Sequence, residues 1–295
     1  MPLNSTKEER DLKASQQTAQ KMALENGLKR SIASVFAKIA RDMESASIAG
    51  EELDATAYQQ QIQSILEDHY VRVGGFFDSE LTDFYEENKG NSEERITILI
   101  DSISEATSQS QAEIIAGISA QIRIALNLFA KEESKKSAAF ITETNQEDID
   151  AALVIAPALL ADKLGREPTQ LEIAKESRKV LRDKLRSRES TIAEFETQKA
   201  AEGAKSIERD LYKSIANDSV FLLTSDQILT IESFWVTIGD SKVRPAHREA
   251  DNTKKQPEGY FIVGGQRLLY PGDTSLGASL DNVINCRCSE ITKTN

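Results

Sequence analysis

Apolar residues recur at helical spacing along most of this chain, then give way to short β-favouring runs near its end. Leu28, Ile32, Val35, Phe36, Ile39 and Met43 fall three or four positions apart, which predicts one amphipathic helix reaching Gly50. Ser5-Thr-Lys-Glu8 has the form of a capping box ahead of it. A second helix is expected from about Asp54, with Ile62, Ile65, Leu66, His69, Tyr70 and Val73 on one face. Gly74-Gly75 should bend or interrupt it, because glycine costs about 1 kcal/mol relative to alanine inside a helix. His69 lies in the apolar stripe and reads as a packed residue. Asn88-Lys89-Gly90-Asn91 reads as a turn. Ser92 to Phe140 predicts one or two helices, with a kink or thin seam at the polar interval SEATSQSQAE. Asn145-Gln-Glu-Asp148 predicts a helix restart and Gly165 a stop. Pro168-Thr169 predicts the start of a final helix to about Ala216. Dense Lys, Arg and Glu around the apolar seam of that last helix predict a solvated rod or bundle member.

The end of the chain follows a different period. Tyr260 to Val263 and Arg267 to Tyr270 flank Gly264-Gly265-Gln266, and adjacent glycines supply the positive φ angles of a tight hairpin turn. Phe234 to Ile238 predicts a further strand ended by Gly239-Asp240, and Pro271-Gly272-Asp273 stops the hairpin. The expected fold is mainly α with a small C-terminal α+β module: long amphipathic helices, then a β-hairpin-containing module. The boundaries are an extended helical domain over 1–217 and the module over 218–295. Trp235, Phe261 and Tyr270 are the expected module core, since large rings bury the most apolar area.

Charge narrows the partners. The net charge is −12, yet from Asp226 onward 8 basic and 9 acidic residues nearly cancel, so the acidity belongs to the helical part. Proteins that coat DNA neutralise phosphates with a basic face, so bulk charge disfavours that role. A local patch of Lys242, Arg244, Arg248, Lys254 and Lys255 leaves weak DNA contact open beside the plainer reading of a solvated loop. Two cysteines in 295 residues point to a reducing compartment. No run approaches eighteen uninterrupted apolar residues and the N-terminus lacks a signal-peptide core, so synthesis and assembly in cytoplasm are expected, with no membrane segment.

The module also concentrates chemistry. Cys286 and Cys288 are too close in sequence for an easy mutual disulfide. With His247 and an aspartate, Asp240 or Asp251, they could form a zinc site of mixed ligands that staples a module with little core. Two small buried thiols are the plainer alternative. Asp240, Arg244 and His247 could act as acid, phosphate clamp and base of a metal-assisted nuclease or hydrolase. The alternative is a structural polar network of Asp240, Arg244, His247, Asp251, Asp273 and Arg287, with Asp240 pairing Arg244, His247 bonding backbone, and Arg287 pairing Asp273 or Asp281. No Gly-rich phosphate loop, nucleophile elbow or multi-carboxylate motif accompanies the trio, and an enzyme is not the expected reading.

These residues also carry a likeness. Trp235-Val-Thr-Ile-Gly-Asp240-Ser-Lys-Val-Arg244-Pro-Ala-His247, then Asp251, Gly264-Gly265, Leu268, Tyr270-Pro271-Gly272-Asp273 and Asn285-Cys286-Arg287-Cys288, resemble the signature of the phage Mu F-like minor head protein (head morphogenesis) family. Order and spacing agree over about the last sixty residues. A fainter upstream echo runs from Arg188 through Thr191-Ile192-Ala193 to Glu196-Thr197, with Phe195 where the family usually has Thr. The resemblance implies a low-copy minor capsid protein of a tailed phage head, assembled in the host cytoplasm. Its implied partners are the portal or other capsid proteins, with DNA as a weak further contact.

Overall fold

The structure is a computed structural model and describes residues 7–88, 95–218 and 231–294. Five long helices come first: α1 (Lys7–Ala49), α2 (Gln59–Asn88) after a 3-10 turn at Ala55–Tyr58, α3 (Arg95–Thr107), α4 (Gln111–Leu164) and α5 (Gln170–Asp218). Short elements follow: β1 (Ile231–Val236), α6 (Pro245–Glu249), β2 (Phe261–Val263), β3 (Gln266–Leu268), α7 (Leu280–Val283) and β4 (Ser289–Thr294). The protein is 72 % helical, with short antiparallel strand pairs near the C-terminus, which places it in the mainly α class with a small α+β module.

The helix ends are set by local chemistry. Thr169 and Glu172 form a capping box at the start of α5: Thr169 N–H donates to the Glu172 carboxylate at 2.8 Å and Glu172 N–H to Thr169 Oγ1 at 3.3 Å. Ser110 and Glu113 do the same for α4. Between α3 and α4 the polar interval breaks the chain at Ser108, whose φ of 59° is left-handed. The helix restart expected at Asn145 does not occur, and α4 runs unbroken from Gln111 to Leu164. Asn145 is fully buried and its Oδ1 accepts from Arg188 Nη1 at 3.1 Å, so tertiary bonding overrides a polar cluster that resembles a helix start. Gly74-Gly75 does not interrupt α2 either; a Cβ on Gly74 would lie 3.1 Å from Leu126, so close packing accounts for the glycine. The capping box expected at Ser5, the turn at 88–91 and the connection after Asp218 lie wholly or partly outside the described residues.

The chain forms two compact units. One comprises Met22–His69 and Ala130–Glu196. Its core joins Ile32, Phe36 and Ile39 of α1, Ile62 and Leu66 of α2, Ile141 and Ile149 of α4, and Leu181 and Leu185 of α5. The i, i+3, i+4, i+7 spacing places these side chains on facing stripes. Arg188 ties α5 to α4 through Asp148 at 2.9 Å, and Glu196 accepts from Ser137 Oγ at 2.9 Å.

The other unit comprises Met1–Lys21, Tyr70–Phe129 and Thr197–Asn295, so the module packs with the last part of α5. Phe129 stacks against Tyr70 at 5.5 Å and Tyr270 at 6.4 Å between ring centroids. Gly203 of α5 leaves the space that the Phe129 ring fills, since a Cβ there would fall 2.2 Å from Cζ. β1 pairs antiparallel with β4, from Ile231 opposite Thr294 to Val236 opposite Ser289. β2 and β3 form the expected hairpin, with Val263 opposite Gln266 and a loop of Gly264 (φ 58°) and Gly265 (φ 75°). Two successive left-handed residues define the turn whose twist suits a two-residue hairpin. α4 contains an 18-residue window of mean hydropathy 1.3, one third buried, so by length and composition alone it could cross a membrane. The same helix supplies buried Ile118, Ile122 and Leu126 to the fold, as core helices do.

Candidate functional site

Trp235, on β1, is fully buried at the centre of the module. Its indole meets Phe261 edge-on at 5.4 Å and the His247 ring edge-on at 5.5 Å. Its backbone is held by the turn after α6: its N–H donates to the Thr253 carbonyl at 2.9 Å and its carbonyl accepts from Asn252 N–H at 2.7 Å. Phe261 and Tyr270 are buried as well. β1 therefore presents one large ring against which α6 and the hairpin both settle.

His247 sits on α6, which Pro245 opens; proline suits a first helical turn because its missing N–H costs nothing there. The ring is buried. Nε2 lies 2.9 Å from the Asn282 carbonyl and 3.0 Å from Asn282 Oδ1, so it faces oxygen acceptors and carries the proton. Nδ1 faces sulfur, at 3.4 Å from Cys288 Sγ and 3.6 Å from Cys286 Sγ. Asn282 is itself oriented, its Nδ2 donating to the Val263 carbonyl at 3.0 Å and Gln266 Oε1 at 3.1 Å. The imidazole orientation is thus set through α7 by the hairpin.

Cys286 and Cys288 are free and buried. Asn285, with a left-handed φ of 57°, turns the chain into them; asparagine tolerates that conformation better than most residues. The Cys286 N–H donates to the Val283 carbonyl at 3.1 Å, and the Cys288 carbonyl accepts from Gln198 Nε2 of α5 at 2.7 Å. Hydrogen bonding from Cys288, and from His247, outweighs burial and pulls the Cys286 thiol down to about 5. The same contact, with burial, pushes Cys288 up, so the two sulfurs titrate as a coupled pair. Burial opposes charge on His247, but Cys286 and Asn282 outweigh it and raise the imidazole above its ordinary value. Trp235 Nε1 is buried without a hydrogen-bond partner.

The carboxylates have other roles. Asp240 is bound by both guanidinium nitrogens of Arg287 at 2.8 Å, and also accepts from Lys242 N–H at 2.9 Å. The Arg287 contact holds its carboxyl below the usual range. Asp240 accordingly does not join His247, Cys286 and Cys288, whose ligand atoms all lie within 4.8 Å of one another. The expected Asp240–Arg244 pair is absent: Arg244 donates to the Ile284 carbonyl, and Arg287 pairs with Asp240 rather than Asp273 or Asp281. Asp251 accepts from Thr237 N–H at 2.7 Å. Asp273 is buried and accepts from the N–H groups of Leu269 and Ser275, both at 2.8 Å. The acid, clamp and base imagined for a hydrolase are thus each bonded to other partners.

The sequence reading missed the polar face that seats the module. Gln198, Glu202, Ser206 and Arg209 recur at helical spacing on α5 and are all buried. Glu202 accepts from the Glu290 N–H at 2.9 Å, while Arg209 and Lys255 pair with the Glu290 carboxylate. The signal was the spacing itself, hidden within a helix rich in charge on every side. No family model, curated protein or solved structure matches this chain.

Proposed function

We propose that this chain is a head morphogenesis protein of a tailed phage, a minor capsid component that binds the portal or other capsid proteins during assembly in the host cytoplasm. The observation that carries the reading is the use to which the signature residues are put. Trp235, Arg244, His247, Asp251, Asp273 and Arg287 are each spent on holding the module together. A signature whose polar members are consumed by internal bonds suits a module that positions a binding surface better than one that turns over substrate. The acidic helices favour protein partners, with DNA a minor contact at most. Co-expression with the cognate portal and capsid proteins tests this: the chain should sediment with procapsids and remain in purified heads. Its absence from both overturns the reading.

A second reading, a metal-assisted nuclease or hydrolase, draws on the His247, Cys286 and Cys288 cluster. That cluster is closed to solvent, whereas a catalytic metal needs an open position facing substrate. DNA degradation by the wild type that is lost in His247→Ala would favour this reading over the first.

A further inference from the structure

We propose that His247 Nδ1 and the Sγ atoms of Cys286 and Cys288 form a zinc site that staples α6 to the start of β4. The proposal does not rest on the phage-head reading. Four-coordinate zinc takes nitrogen at about 2.05 Å and thiolate sulfur at about 2.3 Å, and a tetrahedral angle between them places N and S about 3.6 Å apart. Nδ1 lies 3.4 Å from Cys288 Sγ and 3.6 Å from Cys286 Sγ. Both nitrogen-to-sulfur distances therefore match those a metal would leave, and the three atoms all lie within 4.8 Å of one another.

The surroundings supply what a ligating histidine needs. A metal-bound imidazole donates its other N–H to a carbonyl or carboxylate, which fixes tautomer and ring angle. Here Nε2 donates to the Asn282 carbonyl and Oδ1, and Asn282 is locked by Val263 and Gln266. That leaves the Nδ1 lone pair aimed between the two sulfurs. The ligating turn is fixed at the backbone by Gln198 on the Cys288 carbonyl and Arg244 on the Ile284 carbonyl. Among the described residues no carboxylate joins the group, and a nitrogen and sulfur set selects zinc over magnesium or calcium.

Binding forms one Zn–N bond through the Nδ1 lone pair and two Zn–S bonds, and any proton still held by either sulfur leaves to solvent. The three residues fill three of zinc's four tetrahedral positions. His247 is 2 %, Cys286 5 % and Cys288 2 % exposed, so the metal is structural rather than substrate-facing. Its contribution is to the stability of the module, because ligands gathered from two separated segments are brought together only on folding.

The full chain, purified under reducing conditions without chelator, should carry about one zinc per molecule by elemental analysis. After zinc is stripped, cobalt(II) should give thiolate-to-cobalt charge transfer and the intense visible bands of a four-coordinate ion, displaced by added zinc. Asn282→Ala keeps all three ligands and should weaken zinc binding by about 10- to 100-fold. Glu258→Ala, at an exposed position of the module outside the cluster, should leave the affinity unchanged. Metal-free protein that gives no cobalt charge transfer overturns the proposal, whether its thiols are free or joined as a disulfide. A cobalt spectrum that survives in the Cys286→Ser, Cys288→Ser double variant places the metal elsewhere and overturns it equally.

Discussion

Lys255 Nζ lies 3.2 Å from Glu290 Oε1, with both side chains buried beside Arg209. One carboxylate thus serves two buried cations, and the three residues respond unequally to substitution. Glu290→Gln removes the buried carboxylate that both cations share, leaving Arg209 with the exposed Asp210, and should cost about 3 kcal/mol, whereas Lys255→Met leaves the Arg209–Glu290 pair intact and should be neutral or stabilising by about 1 to 2 kcal/mol. Burial, reinforced by Arg209 and Lys213 against Asp210 and Asp273, lowers Lys255 to about 7. A lysine with a depressed folded-state pKa penalises the fold when charged, so wild-type stability should rise between about pH 7 and pH 10 from this group. The advantage of Lys255→Met should then be largest below pH 7 and shrink above it. Urea denaturation of the three proteins at several pH values checks both orders.

Gly203 and Gly117 make a controlled pair. Both are helical, but only at Gly203 would a Cβ meet a ring, 2.2 Å from Phe129 Cζ, while Gly117 has nothing within 4 Å. Gly117→Ala should stabilise by roughly 0.5 to 1 kcal/mol through helix propensity. Gly203→Ala should destabilise by about 1 to 3 kcal/mol despite the same propensity gain, because Phe129 is held between Tyr70 and Tyr270. Gly203→Ala, Phe129→Leu should recover part of the loss. Equal effects of the two single alanines would contradict this packing.

Asp273→Ala removes the acceptor of two backbone N–H groups at once, Leu269 and Ser275. About 2 kcal/mol of stability should be lost, with an unchanged denaturant slope. A loss within error of zero would mean that water replaces the carboxylate, contrary to its burial.

Glu172 gives a surface control. The Arg166 guanidinium, then the Thr169 N–H and hydroxyl, lower its carboxyl from the ordinary glutamate range to about 2. Any stability from this group is complete above the unfolded value near pH 4.5 and disappears as pH falls towards 2. Carboxyl NMR titration should place the Glu172 midpoint near 2 in the wild type and higher in Arg166→Ala. An unshifted midpoint would remove the capping arrangement.

What the sequence disclosed and what it hid divide along a physical line. The hairpin was legible because strand period and the Gly264-Gly265 turn are both local. The stops at Gly50 and Gly165 were legible for the same reason, since left-handed glycine ends a helix within one turn. The pairing of β1 with β4 was hidden, because nothing in either strand names a partner some fifty residues away. The restart expected at Asn145 failed because the side chain is buried against another helix, where Arg188 donates to its Oδ1. At the module, residue types announced a polar knot, but proximity in sequence misassigned it: Asp240 bonds Arg287, 47 positions away, and not Arg244.

The Asn282 side chain has a further consequence. Its amide hydrogens rest on Val263 and Gln266, the two ends of the β2–β3 turn, while its oxygen sets the angle of the imidazole. A substitution that tilts that turn, such as Gly265→Val at its left-handed φ of 75°, should therefore change how fast the buried thiols meet an alkylating reagent.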